Sequence, residues 1–122
     1  MGGRVLLIED EASIAEAISF LLTRDGCEVV TFAQGLGALE KVAETQPDLV
    51  ILDVMLPGRS GIDILGDLRA NPATAALPVI MLTAKGQGAD RAAAEKAGVS
   101  LFMTKPFANS EIRAAVRALL AR

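Results

Sequence analysis

The sequence predicts an α/β fold, a three-layer αβα sandwich on a five-stranded parallel sheet, and three observations predict it. Short apolar runs alternate with stretches of helical periodicity from end to end. The segments between successive runs are too long for hairpins, so the strands are joined by right-handed crossovers and run parallel. The run Asp48–Val54 (DLVILDV) is apolar at consecutive positions, as a strand covered by helices on both faces requires. At 122 residues the chain has the length of one domain, taken as residues 1–122.

Arg4–Ile8 (RVLLI) reads as the first strand, followed by Glu9-Asp10-Glu11. Ser13 and Glu16 have the spacing of a capping box, Ile14, Ile18, Leu21 and Leu22 mark one helical face, and Gly26 stops that helix. Cys27–Phe32 is the second strand, and Leu36–Gln46 a helix closed by Pro47. After the third strand, Asp48–Val54, the loop Pro57–Gly61 leads to a helix capped by Ser60 with Asp63 and ending at Asn71-Pro72. Leu77–Thr83 is the fourth strand, Gln87–Ala97 an alanine-rich helix stopped by Gly98, and Val99–Thr104 the fifth strand. Asn109 or Ser110 is expected to cap a last helix carrying Ile112, Val116, Leu119 and Leu120.

Composition narrows the function. The chain is 52% hydrophobic, which leaves ample surface to bury and excludes disorder. No apolar run reaches the length of a membrane span, and the N-terminus lacks the layout of a signal peptide, so a cytoplasmic protein is expected. A net charge of −3 has the wrong sign for a non-specific nucleic-acid binder. With no His and the single Cys27, ligands for transition metals are almost lacking, and a hard cation held by carboxylates is the metal to consider. Cys27 itself reads as a small buried hydrophobe.

Ligands of open α/β sheets bind outside the carboxyl ends of the strands. There the first strand delivers Glu9 and Asp10, the third Asp53, the fourth Thr83 and the fifth Lys105. The second ends in Phe32 and Ala33, which suits an edge strand. Converging carboxylates repel unless a cation joins them, and Mg²⁺ suits one or two carboxylates with waters and a phosphate. A metal, the Lys105 ammonium and the Thr83 hydroxyl match the three oxygens of a transferring phosphoryl group. A carboxylate can itself be the nucleophile, and Asp53, on the most apolar strand, is the candidate.

The segments Ile8-Glu9-Asp10-Glu11, Leu52–Gly58 (LDVMLPG) with Gly61, Leu82-Thr83-Ala84-Lys85 and Thr104-Lys105-Pro106-Phe107 together resemble the signatures of response-regulator receiver domains, in order and across essentially the whole chain. The resemblance implies the flavodoxin-like strand order 2-1-3-4-5, also found in chemotaxis receivers. It implies that Asp53 accepts a phosphoryl group from a histidine kinase or phosphotransfer protein, and that the chain is a signalling switch, not an enzyme. Asp10, Asp53 and the backbone carbonyl of Met55 would bind Mg²⁺, with Glu9 acting through a metal-bound water. Lys105 would pair with the phosphoryl group, Thr83 would hydrogen-bond it, and Phe102 would turn inward as Thr83 moves. The Lys105–Pro106 bond is expected to be cis. Met55 and Lys85 stand where water access to the acyl phosphate is tuned, and neither can activate water, so slow decay is expected.

Receivers joined to winged-helix DNA-binding domains resemble this chain closely in the last helix and pair through three charge pairs. One is kept here as Arg91 and Glu111. A second is lost to Ala97 and Ala115, and in the third Leu101 stands opposite Arg122 where an Asp is needed. That implies a partner surface of Arg91, Leu101 and Glu111 serving a downstream protein or output domain, without direct nucleic-acid or membrane binding. A single-domain regulator and the receiver of a longer protein both stay open. Two other functions fit less well. A flavin carrier needs an uncharged phosphate cradle where Glu9-Asp10-Glu11 stands. A Mg²⁺-dependent aspartyl-phosphate phosphohydrolase, the main alternative, needs a second Asp where Met55 stands.

Overall fold

In the computed structural model, residues 2–84 and 88–121 are described. Five strands, β1 (Arg4–Ile8), β2 (Glu28–Phe32), β3 (Leu49–Asp53), β4 (Val79–Thr83) and β5 (Leu101–Thr104), alternate with five helices, α1 (Ala12–Arg24), α2 (Ala38–Thr45), α3 (Gly61–Ala70), α4 (Gly88–Ala97) and α5 (Asn109–Leu120). All strand pairs are parallel, in the order β2-β1-β3-β4-β5. The fold class and strand order are those expected.

The pleat sends alternate residues of each strand to opposite faces, and each face has its own core. Leu6, Ile8, Val50, Leu52, Val79 and Met81 meet α2, α3 and α4 through Val42, Ile64, Leu65, Leu68 and Ala94. Val5, Leu7, Leu49, Ile51, Ile80 and Leu82 meet α1 and α5 through Ile18, Leu22, Ile112 and Val116. β3 is buried throughout because both its faces are covered, which explains its unbroken apolar run. Cys27 is free and buried at the edge of the second core.

Some helix starts differ from the sequence pattern. α1 begins at Ala12 with Glu11 in the N-cap place and no side-chain cap, so Ser13 falls inside the first turn and forms no capping box. The chain leaves β1 at once into α1, where Ile14 and Ala15 amides already bond Glu11 carbonyl at 3.1 and 3.0 Å. α5 is capped from Ala108, not Asn109 or Ser110, because the Glu111 carboxylate reaches back to the Ala108 amide at 3.0 Å. The Ser60 cap is present, its hydroxyl accepting from the Ile62 amide at 3.1 Å. α2 starts at Ala38, later than expected, because Gly35-Leu36-Gly37 is spent on a loop contact. There the Gly35 amide bonds Pro57 carbonyl at 2.8 Å, and a Cβ on Gly58 would come within 2.7 Å of Leu36.

Two glycines of α3 should respond oppositely to alanine. A Cβ on Gly61 would stand 2.1 Å from the Asp53 carbonyl oxygen, a backbone clash at the mouth of the cleft. Gly66 has nothing within 4 Å of the same position. Gly61→Ala is expected to cost at least about 1–3 kcal/mol through overpacking, and Gly66→Ala to add about 0.5–1 kcal/mol of stability. Urea unfolding midpoints of the two variants check this.

Candidate functional site

Because the strands are parallel and in register, their carboxyl ends meet at one edge. Glu9 follows β1 and is buried together with Asp53 at the end of β3, whereas Asp10 is exposed at the rim. Carboxylate oxygens of Glu9, Asp10 and Asp53 all lie within 4.8 Å of one another. Lys105, just past β5, reaches across the edge and places its ammonium 2.7 Å from Asp53 Oδ2, 2.8 Å from Glu9 Oε1 and 3.2 Å from Glu11 Oε1. Thr83, buried at the end of β4, lies on the strand beside Asp53 and donates its hydroxyl to Asp90 Oδ2 of α4 at 3.4 Å.

The backbone fixes the Asp53 carboxylate. The Met55 amide donates to Asp53 Oδ1 at 3.1 Å, and the Gly61 amide bonds Val54 carbonyl at 2.9 Å, closing the loop beneath it. The Glu11 amide donates to Glu9 Oε2 at 3.1 Å. The Met55 side chain points to solvent at 72% exposure. The Lys105–Pro106 peptide is cis, and the Lys105 amide bonds Thr83 carbonyl at 2.6 Å, tying β5 to β4 at the site.

Electrostatics leave the cluster short of positive charge. Four carboxylates, those of Glu9, Asp10, Glu11 and Asp53, surround one ammonium, so the cluster holds negative charge that a cation can offset. Burial, then the hydrogen bond and negative charge of Asp53, push Glu9 up to about 7, against the lowering pull of Lys105. Burial alone would depress the Lys105 ammonium, but hydrogen bonds and charge from Asp53 and Glu9 hold it above its ordinary value. The donor set, three carboxylates and no nitrogen or sulfur, fits a hard cation such as Mg²⁺.

The structure therefore gathers Glu9, Asp10, Asp53 and Lys105 around one point, with Thr83 on the neighbouring strand. Phe102 is buried in β5, and the Arg91 guanidinium lies 4.9 Å over its ring. Leu101 at the start of β5 is 39% exposed, and Glu111 on α5 is exposed. Lys85 and Arg122 lie outside the described residues. Sequence reasoning missed the Glu11 contact to Lys105 and the Asp90 contact to Thr83. The first had a signal, a third acidic residue in the same loop. The second had none, since only the docking of α4 brings Asp90 to Thr83.

An αβα sandwich with an acidic cluster, a hydroxyl and a lysine on the carboxyl edge of its sheet is the architecture of a two-component receiver. The family model of the response regulator receiver domain matches residues 5–117, and the chain belongs to that family of signalling domains. The phosphate regulon transcriptional regulatory protein PhoB of Escherichia coli strain K12 is 38% identical over 122 residues, all of this chain and 53% of PhoB. The chain thus spans about half the length of the curated relatives it matches. The BeF3-activated receiver domain of Klebsiella pneumoniae RstA has a TM-score of 0.90 at 28% identity, covering 98% of this chain and 99% of that one. The receiver domain of the Pseudomonas aeruginosa sensor histidine kinase PA1611, with a magnesium ion coordinated in its active site cleft, has a TM-score of 0.90 at 26% identity and covers 100% of both chains. Among the described residues no helix is long and apolar enough to cross a membrane.

The raised pKa of Glu9 fixes a pH dependence in metal-free protein. The folded state holds this proton more tightly than the unfolded chain, so the stability it contributes is present below the usual carboxylate range and lost as pH rises through about 7. Glu9→Gln removes the titration. In EDTA its melting temperature relative to the parent should climb by a few degrees between about pH 5 and about pH 8. A difference that stays flat across that range would count against the assignment.

Proposed function

We propose that residues 1–122 form one receiver domain that takes a phosphoryl group onto Asp53 from a histidine kinase or phosphotransfer protein in the cytoplasm. The single observation that carries this is the Lys105 ammonium 2.7 Å from Asp53 Oδ2 inside the acidic cluster. An Asp53 oxygen attacks phosphorus, the bond from phosphorus to the donor breaks, and its electron pair leaves with the donor. The product is a mixed anhydride. Lys105 stays within reach of the incoming oxygens because its stem is buried and its amide is fixed to β4. Thr83 supplies a hydroxyl donor to one of those oxygens. Asp10, Asp53 and the Met55 carbonyl would hold Mg²⁺, with Glu9 acting through a water; when bound, the ion neutralises the phosphoryl charge as it is transferred. The magnesium in the similar Pseudomonas receiver supports that assignment.

The output follows from the face of α4, β5 and α5. Phe102 lies in the core beneath Arg91, and Leu101 beside it in β5 is exposed. Receivers that pair through this face use charges where this chain has Ala97, Ala115 and Leu101. The steering that would fix a symmetric register is thereby weakened, which favours a protein partner or output domain over self-pairing. PhoB is named a transcriptional regulatory protein, and a DNA-binding output domain outside this chain would be compatible with the same face. The phosphohydrolase alternative gains nothing, because Met55 is apolar and turned to solvent where an acid is needed.

Incubation with acetyl phosphate and Mg²⁺ should add one phosphoryl mass on the peptide holding Asp53. Asp53→Ala should remove it, and Asp10→Ala should lower labelling at least ten-fold by weakening metal binding. Label that persists in Asp53→Ala, with no substitute carboxylate carrying it, would sink the assignment. Sedimentation with Mg²⁺ and beryllofluoride should leave the protein monomeric, and an activation-dependent dimer disrupted by Arg91→Glu would contradict the partner reading.

A further inference from the structure

We infer that Glu11 gates Lys105, its carboxylate holding a place on the ammonium that an incoming phosphoryl group must take. The gate rests on the reading of Asp53 as phosphoacceptor. It makes Glu11 a positioning residue, acting through Lys105, that sets how readily a small anionic phosphodonor is captured.

A lysine ammonium has three protons to give. All three find carboxylates here, Asp53 Oδ2 at 2.7 Å, Glu9 Oε1 at 2.8 Å and Glu11 Oε1 at 3.2 Å. The Lys105 side chain is nearly buried, so it bonds a phosphoryl oxygen only in place of one of these three. The three are not equally held. The Glu9 side chain is fully buried, and its other oxygen accepts the Glu11 amide at 3.1 Å. Asp53 is buried too, with its second oxygen on the Met55 amide at 3.1 Å. Parting either from the ammonium strands a buried carboxylate without its counter-charge, which is costly. The Glu11 side chain is 55% exposed and makes the longest of the three contacts. Water can take over its carboxylate at little cost. Glu11 is therefore the contact that gives way.

The backbone lets this side chain move alone. The Glu11 amide is tied to Glu9, and its carbonyl accepts the Ile14 and Ala15 amides at 3.1 and 3.0 Å in the first turn of α1. No side-chain cap holds the carboxylate to that turn, although Glu11 stands in the N-cap place. Swung off Lys105, the carboxylate stays beside the positive end of α1, which suits a negative charge. With the gate open, Lys105 turns one proton to a phosphoryl oxygen and keeps its bonds to Asp53 and Glu9. Opening is a threshold that each donor must meet. A protein donor docked through a large surface has binding energy to spend on it, and a small anion has little. Glu11 thus favours a docked protein donor over free phosphorylated metabolites.

The rate of Asp53 labelling by acetyl phosphate and Mg²⁺, read by mass on the whole chain at low ionic strength, tests the gate. Glu11→Gln keeps the length and an oxygen acceptor but not the charge. It should label about three- to five-fold faster than the parent, the scale of an exposed ion pair. Glu11→Ala, which frees that place on the ammonium, should be at least as fast. High ionic strength should shrink both gains to within about 1.5-fold, because an exposed pair is screened in the parent as well. Glu16→Gln removes the same charge from the same helix, but Glu16 is not one of the three carboxylates on Lys105. Its rate should stay within about 1.5-fold of the parent. Glu11 variants no faster than the parent would mean that Asp53 or Glu9 is the contact released, and the gate falls. It falls equally if salt leaves the gain unchanged, or if Glu16→Gln gains as much. Peptide mapping separates the two readings. A parent labelled on Asp53 with unresponsive Glu11 variants strikes the gate alone, whereas a parent that takes no label on Asp53 strikes the phosphoacceptor and the gate together.

Discussion

The ammonium of Lys105, held between Asp53 and Glu9, is the interaction on which the rest of the site depends. Two buried carboxylates on neighbouring strands would otherwise repel each other across the edge of the sheet, and one would take a proton. Lys105 moderates that repulsion without cancelling it, which is why Glu9 still sits well above the carboxylate range. The remaining negative charge suits the edge to a cation of hard, oxygen-seeking character. The fold is arranged to keep it so, since the strand ends that carry these groups are locked by backbone bonds such as Lys105 amide to Thr83 carbonyl.

Much of this could be read in the amino-acid order. The unbroken apolar run of β3 announced a central parallel strand, and the polar residues ending four of the five runs marked the edge where the acidic cluster lies. Strand ends are legible because burial and the period of the pleat both act on the sequence directly. Helix starts were less so. Ser13 and Glu16 have the right spacing for a cap, yet the connection from β1 starts α1 earlier and leaves that pattern unused. Asn109 and Ser110 are good cap residues displaced by Glu111, whose longer side chain reaches the Ala108 amide. Local propensity is a weak vote when chain connectivity fixes the geometry.

Contacts that helix side chains make with distant elements were not legible. Arg69 carries no hint that it will cross to Gly98 and Ser100, and an arginine on a helix usually reads as a solvated charge. Asp90 looks like an ordinary polar residue of an exposed helix, and Arg91 reads as a surface charge for a partner rather than as a cover for Phe102. Their partners Thr83 and Phe102 become neighbours only when β4, α4 and β5 are assembled. What a sequence displays is which residues want to be buried or charged. Which of them meet is decided by packing, and here packing adds a set of links around α4.

The interlock of the loops after β2 and β3 has a consequence for how such a chain can vary over time. Gly35 bonds Pro57, and Leu36 occupies the space that a side chain on Gly58 would need. Neither loop can gain or lose a residue without pulling the other out of step, and the second loop leads to Gly61, wedged against the Asp53 carbonyl. Insertions and deletions in these two segments should therefore be inherited in matched pairs. The two loops share one length between them, and the position of Asp53 is what they jointly measure.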